Sequence, residues 1–271
     1  MDNIIFEYMK KSKKSNTLSK YKLKYIKGQS SKDFNIVAKI GLSQTIEKEY
    51  KISQLLLNIK GFIIYLCYFT CVNEIGKIIK DSSICSESGD NIKILLMKEY
   101  ELGSIKGYNW TKENFKVLKS LIKQILTSLF IAFQKYGFIH NDVHFGNFLI
   151  KETKDKIIKY NEEQSIESEG YRVITMDFEK SLFDISKTEY GILCQNYQQI
   201  INNILWELNI ITKNKEHIIE YIEDNIKNKN IIDYNKLNII LKLVDNLEML
   251  EKRDMSKLQP YNANIFMKYM L

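Results

Sequence analysis

From Tyr21 to Ile26 and again from Phe34 to Ile40, apolar and polar residues alternate one by one, the period of half-buried strands, and the polar stretch Gly28 to Lys32 between them predicts a hairpin. The period then lengthens. Between Gln44 and Leu57 the apolar positions Ile46, Ile52 and Leu56 fall on one helical stripe together with Glu49, while Glu47, Lys51 and Gln54 lie opposite. A carboxylate on an apolar stripe is out of place unless a cation meets it. Two further strands are expected around Ile63 to Cys71 and Ile92 to Tyr100, separated by a polar excursion from Gly76 to Asp90.

After a Gly-containing linker at Glu101 to Asn109, Phe115, Leu118, Ile122, Ile125, Leu129 and Phe133 keep the 3.6 period of a long helix, with Thr111 as the expected N-cap and Gly137 as the stop. Phe138 to Ile150 is strand-like at both ends with a polar, histidine-containing middle. Tyr171 to Phe178 reads as the next strand, reached through a polar loop carrying Glu162, Glu163, Glu167 and Glu169. Helices are expected near 189–212, 215–228 and 234–250. The pattern predicts an α+β protein, with an N-terminal antiparallel sheet bearing one helix and a mainly helical C-terminal part joined near residue 101.

A chain of 271 residues, 45% hydrophobic and 27% charged, can bury a sizeable core. Its longest apolar runs, Phe62 to Phe69 and Ile125 to Phe133, fall short of the roughly 20 residues of a membrane span. Met1 to Lys14 has no apolar core followed by a small-residue cleavage site, so an intracellular protein is expected. Cysteines 67, 71, 85 and 194 form no metal-type pairs and are read as reduced thiols. The net charge of +7 is concentrated: residues 1 to 27 carry +6, leaving +1 for the remainder. Those lysines sit in a Ser-rich segment rather than among stacking aromatics, so the expectation is a solvated basic arm and not a nucleic-acid surface.

The chemistry gathers at His140-Asn141-Asp142-Val143-His144-Phe145-Gly146-Asn147 and at Asp177, near the end of the following strand. Phosphoryl transfer needs a carboxylate to orient and deprotonate the attacking hydroxyl, hard oxygen ligands for magnesium, and a cation on the nucleotide phosphates held by an acidic partner. Asp142 suits the first role, Asn147 and Asp177 the second, and Lys39 with Glu49 the third. His140 reads as a structural histidine. Pairing it with His144 as a transition-metal site is disfavoured, since the only other histidine is His217.

In this order the segments resemble the protein kinase-like superfamily. Val37-Ala38-Lys39 is similar to its lysine strand, Glu49 to its helix glutamate, Glu99-Tyr100 to its hinge, His140-x-Asp142 with Asn147 to its catalytic loop, and Asp177-Phe178-Glu179 to its magnesium-binding Asp-Phe-Gly. His144, where ordinary serine/threonine kinases carry lysine, and the long hairpin before Asp177 are similar to haspin, so a haspin-like, viral protein kinase is the leading expectation. The resemblance implies a two-lobed fold: a basic arm and degenerate glycine loop at 1–19, an N-lobe at 20–100 and a C-lobe at 101–271. It implies ATP and Mg2+ as cofactors, with adenine against Glu99, Tyr100 and Glu101, and a protein Ser/Thr hydroxyl as acceptor. If viral, the protein would work in the cytoplasm or nucleus of a host cell.

Departures open two alternatives. Asp-Val-His-Phe-Gly-Asn followed by Asp-Phe-Glu is also similar to small-molecule kinases of the aminoglycoside and choline phosphotransferase kind, which would take a small hydroxyl acceptor. No Gly-x-Gly-x-x-Gly precedes Lys39; Ser12, Ser15, Asn16 and Ser19 stand in Lys11 to Lys20, and serines let phosphates approach the backbone less freely. Lys180 to Asn196 contains no Ala-Pro-Glu, and no anchoring aspartate is evident near Gln195 to Gln199. A pseudokinase scaffold is the second alternative.

Overall fold

The computed structural model describes residues 3–11, 18–27, 30–70, 92–183, 212–213, 216–228 and 233–249. Strands β1 (Asn3–Lys11), β2 (Leu18–Lys27), β3 (Ser30–Leu42), β4 (Tyr65–Thr70) and β5 (Ile92–Lys98) form one antiparallel sheet in the order β1-β2-β3-β5-β4. The expected hairpin is β2–β3, with Tyr21 opposite Ile36. The basic arm is corrected: Asn3–Lys11 is a strand in register with β2, from Asn3 opposite Ile26 to Lys11 opposite Ser19. A boundary at residue 19 would cut through β2. Of the serine-bearing stretch expected at Lys11 to Lys20, Lys11 ends β1, Leu18 to Lys20 belong to β2, and residues 12–17 lie outside the described residues.

Helix α1 (Ser43–Leu55) buries Ile46, Glu49 and Ile52, and its C-cap Leu56 is buried with them, completing the expected stripe. Ser53 of α1 donates from Oγ to the Ile63 carbonyl (2.9 Å) and accepts from the Tyr65 amide (3.2 Å), tying the helix to the start of β4. The excursion at 76–90 lies outside the described residues.

Helix α2 (Phe115–Tyr136) is the core of the second lobe, with Leu118, Leu121, Ile125 and Phe130 buried. Its start differs from the expectation. Asn114 occupies the N-cap position, and Thr111 instead gives its backbone amide to Asn114 Oδ1 at 2.8 Å. Gly137 ends the helix at φ 60°, returning its amide to the Phe133 carbonyl at 2.8 Å. By length and composition α2 could cross a membrane, yet 78% of its most apolar window is buried in the fold. Those apolar residues meet protein.

Beyond it, β6 (Phe148–Glu152) pairs with β9 (Tyr171–Thr175), and the expected polar loop contains a second hairpin, β7 (Ile157–Lys159) with β8 (Ser165–Glu167). β9 stops at Thr175, three residues short of the expected Phe178. Buried Gln124 of α2 accepts from the Val173 amide (2.9 Å) and donates to the Tyr171 carbonyl (3.0 Å), acting as a partial neighbouring strand. On the same flank Gly61 and Ile63 exchange backbone bonds with Thr175 at 2.7 and 2.9 Å. Gly61 has φ 98°, and a Cβ there would meet Ser128 at 3.0 Å, so only glycine lets the two lobes approach this closely.

Helices α3 (Glu216–Lys227) and α4 (Tyr234–Asp245) follow, with the short pair β10 (Thr212–Lys213) and β11 (Glu248–Met249). Of the helix expected at 189–212, residues 189–211 lie outside the described residues and Thr212 begins β10 instead; the stretch Gln195 to Gln199, where no anchoring aspartate is evident, lies outside them too. Cys67 on β4 is a free thiol; Cys71, Cys85 and Cys194 lie outside the described residues.

Candidate functional site

Lys39 sits mid-strand in β3, flanked by β2 and β5, with Leu18 and Leu95 opposite it. Alternation puts Val37 on its face and Ala38, fully buried, on the other. From there Nζ donates to Glu49 Oε1 at 2.6 Å and to Asp177 Oδ1 at 2.8 Å. Glu49 is wholly buried, which answers the oddity of its sequence position: the apolar stripe of α1 carries its carboxylate to a buried ammonium. Burial alone would lower the Lys39 pKa, but Glu49 and Asp177 outweigh it and hold the pKa above its ordinary value. Burial pushes the Glu49 carboxyl up, against the pull of Lys39. Glu47, on the polar face, bonds Lys93 instead.

Asp177 follows β9 at φ 68°, a left-handed conformation that aspartate tolerates better than most residues. The turn drives Phe178 into the core, where its ring meets Tyr65, Phe62, Phe138 and His140 at centroid distances of 5.9 to 6.2 Å. His140 is buried and bonds the Met176 carbonyl through Nε2 at 3.0 Å. Burial lowers its pKa and keeps the ring neutral, as befits a structural strut.

Asp142 and Asn147 lie on the loop before β6. The β6–β9 ladder, continued by Met176 N–H to the Asn147 carbonyl at 3.0 Å, holds this loop beside Asp177. Asn147 Nδ2 donates to the Asp142 carbonyl at 2.9 Å and lies 3.4 Å from Asp142 Oδ2. His144 accepts the Gly146 amide on Nδ1 at 3.0 Å, and a Cβ on Gly146 would meet that ring at 2.8 Å. Among the described residues one acidic group stands close enough to share an ion: Glu49, Asp177 and Glu179, with ligand oxygens within 4.8 Å of one another.

Glu99, Tyr100 and Glu101 leave β5 for the second lobe. The Glu99 amide donates to the Asn35 carbonyl at 3.1 Å, and Gly103 N–H closes a turn onto the Tyr100 carbonyl at 3.0 Å. This segment is the covalent passage between the lobes, and Tyr100 is packed against the core.

Three residues of the site escaped the sequence. Tyr65, within the apolar run that predicts β4, donates its hydroxyl to Glu49 Oε2 at 3.0 Å and accepts the Asp177 amide at 3.3 Å. Burial, then the neighbouring Glu49 charge, raises its pKa well above the ordinary value, so it remains a donor. Lys48 bonds the Glu179 carbonyl at 2.8 Å, and Lys180 bonds Asp142 Oδ1 at 3.0 Å. Tyr65→Phe keeps the ring while stranding a buried carboxylate oxygen and an amide. A loss of about 2 kcal/mol is expected in denaturant unfolding, and a loss under a few tenths would show that water substitutes for the hydroxyl.

No protein-family model matches the chain. Against solved structures it aligns with the BubR1 kinase domain at a TM-score of 0.50 and 13% identity, covering 89% of this chain and 78% of that one. The chain has a protein kinase-like fold. Among curated proteins, 91 residues, 32% of the chain, are 31% identical to bovine (Bos taurus) serine/threonine-protein kinase haspin. A further match of 37 residues, 14% of the chain, is 49% identical to uncharacterized protein 098R of Invertebrate iridescent virus 6. The matched segments span only 12% and 6% of those proteins' own lengths.

Proposed function

We propose that the chain is an ATP- and magnesium-dependent phosphotransferase of the serine/threonine protein kinase type, haspin-like in its catalytic loop. The carrying observation is Lys39 bound at once to Glu49 on α1 and Asp177 after β9. This joins the phosphate-holding cation, its acidic support and a metal-binding carboxylate across three segments distant in sequence. Asp142 would position the acceptor hydroxyl and take its proton, and the adenine would lie against residues 99–101. The donor set suits magnesium: Asn147 bonds Asp142 through its amide nitrogen, not its oxygen, and Lys39 engages one carboxylate oxygen of Asp177. Magnesium bound by Asn147 and Asp177 would neutralise charge on the nucleotide phosphates. The match to haspin supports a protein Ser or Thr acceptor. Such an enzyme would act inside a cell, where ATP is supplied.

Thermal unfolding with and without ATP and magnesium tests this reading. A nucleotide at a hundredfold excess over its Kd stabilises the fold by about 2.7 kcal/mol, a rise of about 5 to 10 °C for a chain of this size. Asp177→Asn accepts the same left-handed backbone but removes the anionic metal ligand, and should lose the magnesium-dependent part of the rise. ADP release with protein and with small-molecule acceptors then distinguishes the acceptor classes. No rise at millimolar nucleotide would overturn the proposal in favour of a pseudokinase scaffold.

A further inference from the structure

Resting on the phosphotransferase reading, we propose that Lys180 is a further catalytic residue, whose ammonium binds the phosphoryl group as it passes to the acceptor at Asp142. Its head group lies on the base itself, with Nζ 3.0 Å from Asp142 Oδ1. The placement is built into the backbone. Lys180 occupies a tight turn closed by the Ser181 amide on the Phe178 carbonyl at 3.1 Å, and both flanking anchors, Phe178 and Ser181, are fully buried. Ser181 Oγ also donates to the His140 carbonyl at 3.0 Å, and Leu182 exchanges two backbone bonds with Ile139 at 2.8 Å. The chain that carries Lys180 is therefore bolted to the loop that carries Asp142, while its side chain, 61% exposed, keeps room to turn.

The neighbouring cations have other duties. Lys39 is held between Glu49 and Asp177, and Lys48 is spent on the Glu179 carbonyl. His144 lies 4.0 Å from the other Asp142 oxygen, and by accepting the Gly146 amide on Nδ1 it presents an Nε2–H dipole. Among the described residues, Lys180 is thus the ammonium in contact with Asp142. In transfer, the acceptor oxygen forms a bond to the γ-phosphorus with its own electron pair. The bond from that phosphorus to the bridging oxygen breaks, its pair leaving on ADP, and the hydroxyl proton passes to Asp142. Lys180 stays protonated throughout. One of its three N–H bonds can remain on Asp142 while another meets a phosphoryl oxygen, so it stabilises charge at the transferring group without exchanging a proton.

The test uses the full chain with Lys180→Met and Lys180→Arg, after thermal unfolding confirms that each folds. ADP with magnesium is titrated alone and with aluminium fluoride, a mimic of the phosphoryl group in transfer, and kcat and the KM for ATP are measured. The wild type should bind ADP more tightly with aluminium fluoride. Lys180→Met should lose that gain, keep ADP affinity within about twofold, and drop kcat by about 10² with KM little changed; Lys180→Arg should retain part of both. A methionine variant with the full aluminium fluoride gain, or with kcat equal to or above wild type, overturns the proposal alone and would make the ion pair a restraint on Asp142. A wild-type chain that binds no ADP with magnesium overturns the phosphotransferase reading and this proposal with it.

Discussion

Replacing Asp142 with asparagine is expected to lower kcat by about 10³-fold, within the range for loss of a positioned general base, while the KM for ATP stays within about twofold. The substitution is nearly isosteric. The bond from Asn147 that shapes the loop goes to the backbone carbonyl of residue 142, which the change leaves in place. The new amide oxygen can still accept from Lys180, so the turn after Asp177 has no reason to move. An amide cannot take the hydroxyl proton, and that is the function removed. Steady-state kinetics with ADP release, beside thermal shifts with ATP and magnesium, check both halves. Undiminished turnover would sink the role given to Asp142, and lost nucleotide binding would show that its charge supports the metal site rather than the acceptor.

What could be read from the chain, and what could not, divides by range of interaction. The β2–β3 hairpin and α1 were legible because alternation and helical period are local, and Glu49 announced itself by sitting where an apolar residue belongs. Asp142, Asn147 and Asp177 were legible as an ordered set whose chemistry is complementary. β1 was hidden because its lysines drew attention to charge, although Ile4, Ile5, Phe6 and Tyr8 make a short β-branched and aromatic run. The β7–β8 hairpin was hidden because each of its strands is three residues long, too short to establish a period. Asn114 displaced Thr111 at the start of α2, where several polar residues in succession could serve. Tyr65 and Lys180 were beyond reach: their roles arise from contacts with residues 112 and 38 positions away, made only once the chain has folded. The left-handed turn at Asp177 belongs with them, since it is imposed by burying Phe178.

Lys39→Met is expected to destabilise the fold by about 3 to 5 kcal/mol at pH 8, the cost of leaving a buried carboxylate without its cation, and to lower the midpoint of thermal unfolding by about 10 °C. Glu49 would be left in the interior with Tyr65 as its donor and Asp177 nearby. The deficit should depend on pH, and the sign follows from burial. Desolvation already holds the Glu49 carboxyl above its ordinary range, and Lys39 is the chief force opposing it. Without Lys39 the folded-state pKa climbs further, so the folded chain binds a proton that the unfolded chain releases above pH 4.5. A group whose pKa is raised on folding contributes stability at low pH that is lost as pH rises. Lys39→Met should therefore approach wild-type stability near pH 5 and fall away toward pH 8. Wild type should decline less over this range, because Lys39 restrains the rise at Glu49; the raised pKa of Lys39 keeps the ammonium charged past neutrality, so the lysine's own contribution is lost only above its ordinary 10.5. Adding Glu49→Gln to Lys39→Met removes the titrating group and should flatten the profile. Urea unfolding of the three chains at pH 5 and pH 8 makes the comparison. An equal deficit at both values would mean that lost packing of the lysine stem, rather than an unpaired buried carboxylate, sets the cost.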